Sequence, residues 1–209
     1  MPANGRRSPS RTGGYRPRQN ASTVTPWLAG IVGLLLVAGL AVTVARHPAP
    51  GGGSGSGLGV GSAPRALTLQ STAGSLLSLA AYRGKKIILF FFEGASCGPC
   101  QGQLVELQDN LATIRSDGGE VLAASTDTVA VSTSLAQQLS LGFPILFDAG
   151  GRLGSAFGVF GLTGGMNMGA VDRHSIFVLN RQGNVSWKRL SLNQMHVPVA
   201  VILSALRSA

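Results

Sequence analysis

Residues Ile87–Phe92 read IILFFF, six consecutive large apolar side chains with no polar partner in the alternation. A strand exposed to water on one face alternates apolar with polar, so an unbroken run of this length belongs to a strand buried on both faces. That requires a sheet covered by helices on each side, and the rest of the chain supplies the pieces. Leu104, Leu107, Leu111 and Ile114 recur at i, i+3, i+7 and i+10 and mark one apolar helical face. Glu120–Ser125 reads as a second buried strand, Thr133–Leu141 as a second helix, and Phe143–Phe147 as a further short element. Leu67–Gln70 is a short strand before the central one. Ser175–Asn180 and Asn184–Arg189 form a hairpin turning at Gln182 and Gly183, and Val197–Leu206 closes the chain as a helix. Strands alternating with helices and then a hairpin predict an α/β fold with a mixed central sheet flanked by helices.

Four segments precede or contain this pattern. Residues 1–25 are rich in Arg, Ser, Pro and Gly with few large apolar side chains, and cannot offset the entropy of ordering, which predicts a disordered tail. Residues 26–45 contain Trp27–Ala45, nineteen residues without a charge. As a helix this run spans roughly 28 Å, near the hydrocarbon thickness of a bilayer. It is longer than the apolar part of a cleaved signal, so a single transmembrane anchor is expected, although Thr43 and Ala45 also suit cleavage. Five arginines ahead of the span place the N-terminus in the cytoplasm and the remainder outside, at the cell membrane. Residues 46–65 are a Gly/Ser/Pro-rich linker, and residues 66–209 form one domain.

The formal charge of +9 suggests nucleic acid until it is partitioned. Met1–Arg46 holds six of the seventeen basic residues and no acidic one, whereas Arg65 onward holds the other eleven with all eight acidic residues, a balance of +3. The folded part is only mildly basic, so no nucleic-acid partner is expected.

The chemistry concentrates at CGPC, Cys97–Cys100, between the apolar strand and the helix that begins around Pro99. Free amide N–H groups and the positive end of the helix dipole stabilise a thiolate there, making Cys97 the nucleophile. Cys100, three residues on, lies on the same first turn within bonding reach, so the pair can close and reopen as a disulfide. A structural disulfide closing so small a loop would add little stability. A zinc site lacks its second CxxC, and His47, His174 and His196 are scattered.

These residues resemble the thioredoxin-like redoxin families over about Leu67–Leu206. LTLQSTAGSLLSLAAYRGKKIILFFFEGASCGPC is similar to membrane-anchored thiol-disulfide oxidoreductases of the TlpA/ResA type, and EVLAASTD, FPILFDAGGRLGSAFGV and SIFVLNRQGNV to the AhpC/TSA relatives of peroxiredoxins. The resemblance implies a thioredoxin-like fold with Cys97 attacking and Cys100 resolving. It implies reduction of disulfides in exported client proteins, no bound cofactor, and re-reduction by a membrane electron donor.

The departures carry information of their own. Ser96 stands where a tryptophan commonly precedes the first cysteine, and His174 falls where thioredoxins place a cis-proline facing the dithiol. Phe90 and Gly94 replace the proline and threonine that precede the peroxidatic cysteine of peroxiredoxins, which counts against the alternative of a thiol peroxidase. His174 is either a plain strand-edge residue or a proton carrier beside the dithiol. Glu93, four residues before Cys97, is either a second acid or base or a strand-end charge facing water. A further alternative is a copper-delivery protein similar to the Sco family, in which two cysteines and a histidine hold copper. Met166, Met168, Met195 and His196 would add soft ligands, but that family places three residues between its cysteines, where this chain has only Gly98 and Pro99.

Overall fold

The structure is a computed structural model in which residues 57–164 and 168–209 are described. The basic tail, the expected membrane anchor, the first part of the linker and Met166 lie outside them. Among the described residues, no helix is long and apolar enough to cross a membrane.

The IILFFF run forms β3, Lys86–Phe91. It pairs in parallel with β4 (Gly119–Ser125) on one side and antiparallel with β6 (Ser175–Leu179) on the other. β5 (Ile145–Phe147) extends the sheet beyond β4, and β7 (Val185–Leu190) beyond β6, giving the order β5-β4-β3-β6-β7. A separate hairpin of β1 (Thr68–Gln70) and β2 (Leu76–Ser78) touches this sheet through a bridge from Ser71 to Leu146.

The two faces of β3 explain why its sequence does not alternate. Ile88, Phe90 and Phe92 enter one apolar cluster with Leu104, Leu107, Leu111, Ile114, Ile202 and Leu206. Ile87, Leu89 and Phe91 enter a second with Leu69, Leu153, Phe157 and Phe177. Each fully buried phenylalanine contributes about 1.5–3 kcal/mol relative to exposure. Phe91, Phe157 and Phe177 also meet one another with ring centroids 4.8–5.7 Å apart, in tilted and edge-on arrangements.

The expected helical stripe is buried but not continuous. α1 (Gly98–Asp109) ends at Asn110, whose side-chain Nδ2 donates to the carbonyl of Glu106 at 2.9 Å, and α2 (Leu111–Ser116) restarts from there. A helix break at an asparagine leaves the apolar spacing intact, so periodicity alone could not show it. α3 covers Val129–Gln138, four residues earlier than expected, because Thr128 caps it through Oγ1 to the N–H of Val131. Its β-branched opening had concealed the start. α4 (Arg152–Phe157) was not legible at all, being six residues bounded by Gly151 and Gly158, both at positive φ. α5 covers Val199–Arg207.

Part of the stretch read as linker is held against the sheet. Gly61 N–H donates to the Val185 carbonyl at 2.7 Å, and Val185 N–H donates to the Ser62 carbonyl at 2.9 Å.

Candidate functional site

β3 delivers the chain to the sheet end at which β4 and β5 also finish and β6 begins. Open α/β sheets place reactive groups at this carboxyl end of their strands. Five residues join β3 to the dithiol: Phe92, Glu93, Gly94 at φ 132°, Ala95 and Ser96. Cys97 then caps α1, and its sulfur accepts the N–H of Cys100 at 3.3 Å. Cys97 and Cys100 form a disulfide, and both residues are fully buried. In the reduced state the same amide and the helix N-terminus stabilise negative charge on Cys97 Sγ.

His174 is the side chain brought against the pair. Its Nδ1 lies 3.8 Å from Cys100 Sγ, and its ring meets Phe90 edge-on with centroids 4.8 Å apart. Its carbonyl accepts the N–H of Ser191, and the peptide bond before it is trans, like all those described. Burial, and then the charge of His196, lower the imidazole pKa from 6.5 to about 4. It is therefore neutral at pH 7. With its proton on Nε2, which is buried without a partner among the described residues, Nδ1 offers a lone pair to the Cys100 thiol.

Glu93 does not face water. It is fully buried, with Oε1 3.3 Å from Nη1 of Arg173. Among the described residues neither of its oxygens finds a well-aligned hydrogen bond, so opposite charge rather than directed bonding holds it. Arg173, which sequence reasoning missed, also donates from Nε to the Leu162 carbonyl (2.7 Å) and from Nη2 to the Gly169 carbonyl (3.2 Å). It ties the end of β3 to the segment preceding β6, and its position directly before His174 was the available signal.

Three further groups were not anticipated. Asp127, just beyond β4, accepts the N–H of Ala95 at 2.6 Å, and Gln101 donates from Nε2 to the Ala95 carbonyl at 2.7 Å. Gln103, buried inside α1, accepts the N–H of Val197 at 2.7 Å. Asp148 accepts the N–H groups of Leu153 (2.8 Å) and Gly154 (2.6 Å) at the start of α4, with Asp172 buried beside it. Burial, then the charge of Asp148 and a hydrogen bond with it, raise the Asp172 pKa from 3.8 to about 8. With both carboxyls ionised, Asp172 has no donor for either oxygen among the described residues. A proton on Asp172 turns the contact into an O–H···O bond.

Among the described residues, the soft ligands of the copper alternative are not assembled. His196 is half-exposed with Nε2 2.9 Å from Glu106, Met195 is buried in the core, and Met168 packs partly buried against it. Among the described residues no group of three or more His, Cys, Asp or Glu side chains is disposed to hold a metal ion.

The model of the AhpC/TSA family matches residues 60–188, which include the whole of this site. The chain belongs to the AhpC/TSA family. Similar proteins to this AhpC/TSA chain include alkyl hydroperoxide reductase E of Mycobacterium tuberculosis, 32% identical over 126 residues that cover 59% of this chain and 79% of that one. Chloroplastic peroxiredoxin Q of Triticum aestivum is 27% identical over 149 residues, 68% of this chain and 69% of the relative. The crystal structure of peroxidoxin BcpB from Mycobacterium tuberculosis superimposes with a TM-score of 0.64 at 21% identity, covering 72% of this chain and 97% of that one. The fold is thioredoxin-like, and the protein is a thioredoxin-like redox enzyme. These matches speak for the redoxin family at large and lend no support to the narrower TlpA/ResA-type likeness. Within the family the departures at Phe90 and Gly94 are structural as well. Phe90 sits inside β3 opposite Ala123 and Ile176, and Gly94 turns the chain toward the dithiol.

Proposed function

We propose that this protein is a thiol peroxidase whose resolving cysteine lies one helical turn from the attacking one. The observation that carries the reading is a wholly buried Cys97–Cys100 pair at the mouth of α1 in an AhpC/TSA chain. A protein disulfide must bring its sulfur in line with the attacking one, which a buried thiol hinders more than it hinders a small hydroperoxide. The names of the relatives, a hydroperoxide reductase and a peroxiredoxin, point the same way.

The cycle follows from the geometry. Cys97 thiolate attacks the peroxide, the O–O bond breaks, and the departing alkoxide or hydroxide takes a proton, leaving Cys97 as a sulfenic acid. Cys100 passes its proton to Nδ1 of neutral His174 and attacks Cys97 Sγ. The S–O bond breaks, hydroxide leaves as water on taking that proton, and the disulfide forms. An external dithiol then returns two electrons and two protons.

A second reading, disulfide exchange with protein clients, is favoured by the CGPC spacing and by Phe90 and Gly94 in place of the peroxiredoxin proline and threonine. If Trp27–Ala45 anchors the chain, either cycle runs outside the cytoplasm on exported substrates, with electrons from a membrane donor.

Reduced protein mixed with organic hydroperoxide should lose both thiols as one equivalent of peroxide disappears. Cys97→Ser should abolish the reaction, and Cys100→Ser should leave a sulfenic acid that dimedone captures. Peroxide consumption no faster than that of free cysteine, together with insulin reduction faster than dithiothreitol alone, would replace this reading by disulfide exchange.

A further inference from the structure

We infer that Asp127 is a positioning residue for the dithiol: through its hydrogen bond to the Ala95 amide it holds Cys97 where Cys100 can reach it. The inference rests on the proposed dithiol chemistry, in either of its two forms.

The Ala95 peptide is gripped from both sides. Its N–H meets Asp127 Oδ2 from the loop after β4, and its carbonyl meets Gln101 Nε2 from the first turns of α1. Two backbone bonds continue the grip, from Cys97 N–H to the Gly94 carbonyl at 3.1 Å and from Gln101 N–H to the Cys97 carbonyl at 3.0 Å. The segment between β3 and α1 is thereby tied to the neighbouring strand's exit and to the helix that carries Cys100. Asp127 is 32 positions from Ala95, so this is a tertiary tie and not a local turn.

Gly94 makes the approach possible. A side chain at Gly94 would place its Cβ 3.0–3.3 Å from the Asp127 carboxylate, on a backbone already at φ 132°. The glycine standing at the peroxiredoxin threonine position and the aspartate beyond β4 are two halves of one arrangement. Where a hydroxyl-bearing residue would stand, this chain has room for a carboxylate that fixes the loop.

Closing the disulfide requires Cys97 Sγ to stay within bonding distance of Cys100 Sγ. A reduced dithiol whose first cysteine is already in place loses less freedom on closure, so its effective concentration is higher. Freeing the Ala95 peptide shifts the thiol–disulfide equilibrium toward the dithiol. A residue that only supports the fold would lower the melting temperature and leave that equilibrium where it was.

The test equilibrates the full chain with glutathione buffers for wild type, Asp127→Ala and Asp127→Asn. The alanine variant should favour the dithiol about tenfold more than wild type. The asparagine variant should stay within about twofold of wild type, because its Oδ1 still accepts the Ala95 N–H while the charge is gone. An unchanged equilibrium in Asp127→Ala overturns the inference, as does an Asp127→Asn shift equal to that of alanine, which would make charge the cause. Should Asp127→Ala not fold, Gln101→Ala decides: it must shift the equilibrium the same way, and no shift rejects the proposal. The equilibrium is read without peroxide, so a wild-type protein that consumes none overturns the peroxidase reading and leaves this one standing.

Discussion

His174 meets Cys100 as a neutral imidazole, because burial holds its pKa near 4, far below the working range. A neutral ring can take the Cys100 proton at any pH from about 5 upward, so its contribution should not titrate near neutrality. His174→Leu should slow disulfide closure about 10- to 100-fold, an effect stopped-flow oxidation with a small hydroperoxide would show at both pH 6 and pH 8. Alkylation of Cys97 should change little, since Cys97 leans on the Cys100 amide and not on the ring. Equal loss in both reactions would mean that the ring supports the fold alone. At this scale the cysteines were legible because a dithiol on a first helical turn is a local pattern. Glu93 was not: its neighbours in sequence suggest a charge at a strand end facing water, and its partner Arg173 is brought to it only by the pairing of β6 with β3.

The β3–α1 unit is the element on which the site depends, and Gly94 is its joint. At φ 132°, with Asp127 filling the space a side chain would need, Gly94→Ala should destabilise the protein by about 1–3 kcal/mol. Urea unfolding would measure this, and the same variant should close its disulfide less readily because the Asp127 tie to Ala95 is pushed apart. A variant as stable and as easily oxidised as wild type would show that the joint tolerates a side chain. Among the elements, β3, β4 and the β6–β7 hairpin were readable because their apolar runs are continuous or their turn residues explicit. The break at Asn110 and the helix Arg152–Phe157 were not, since the first preserves the periodicity and the second is too short to display one.

At the scale of the whole molecule, two buried groups with displaced pKa values, His174 and Asp172, act against each other. The unfolded chain protonates His174 below about 6.5 and the native protein only near 4, so this group adds stability as pH rises from 4 to 6.5. Asp172 keeps its proton to about 8 in the native protein and loses it near 3.8 when unfolded, so this group removes stability as pH rises across that wider window. The two oppose each other up to about pH 6.5, and above it Asp172 acts alone. Stability from these groups should be nearly level between pH 4 and 6.5 and then fall by about 2 kcal/mol by pH 8. Asp172→Asn should abolish the fall, because its amide donates to Asp148 without a proton to lose. Thermal melts of the two proteins across pH 6–8 that run parallel would exclude the shared proton.

The amino-acid order by itself determined that a strand buried on both faces runs into a helix carrying a dithiol on its first turn. Both are short-range facts, an apolar run and a motif, and water's exclusion from such a run leaves few architectures open. Tertiary structure alone decided which polar groups meet at the end of the sheet: His174 on Cys100 across 74 positions, Asp127 on Ala95 across 32, Arg173 on Glu93, and Asp172 on Asp148. The pattern of apolar residues records which faces turn inward, whereas the pairing of buried charges depends on which strand ends the register brings together.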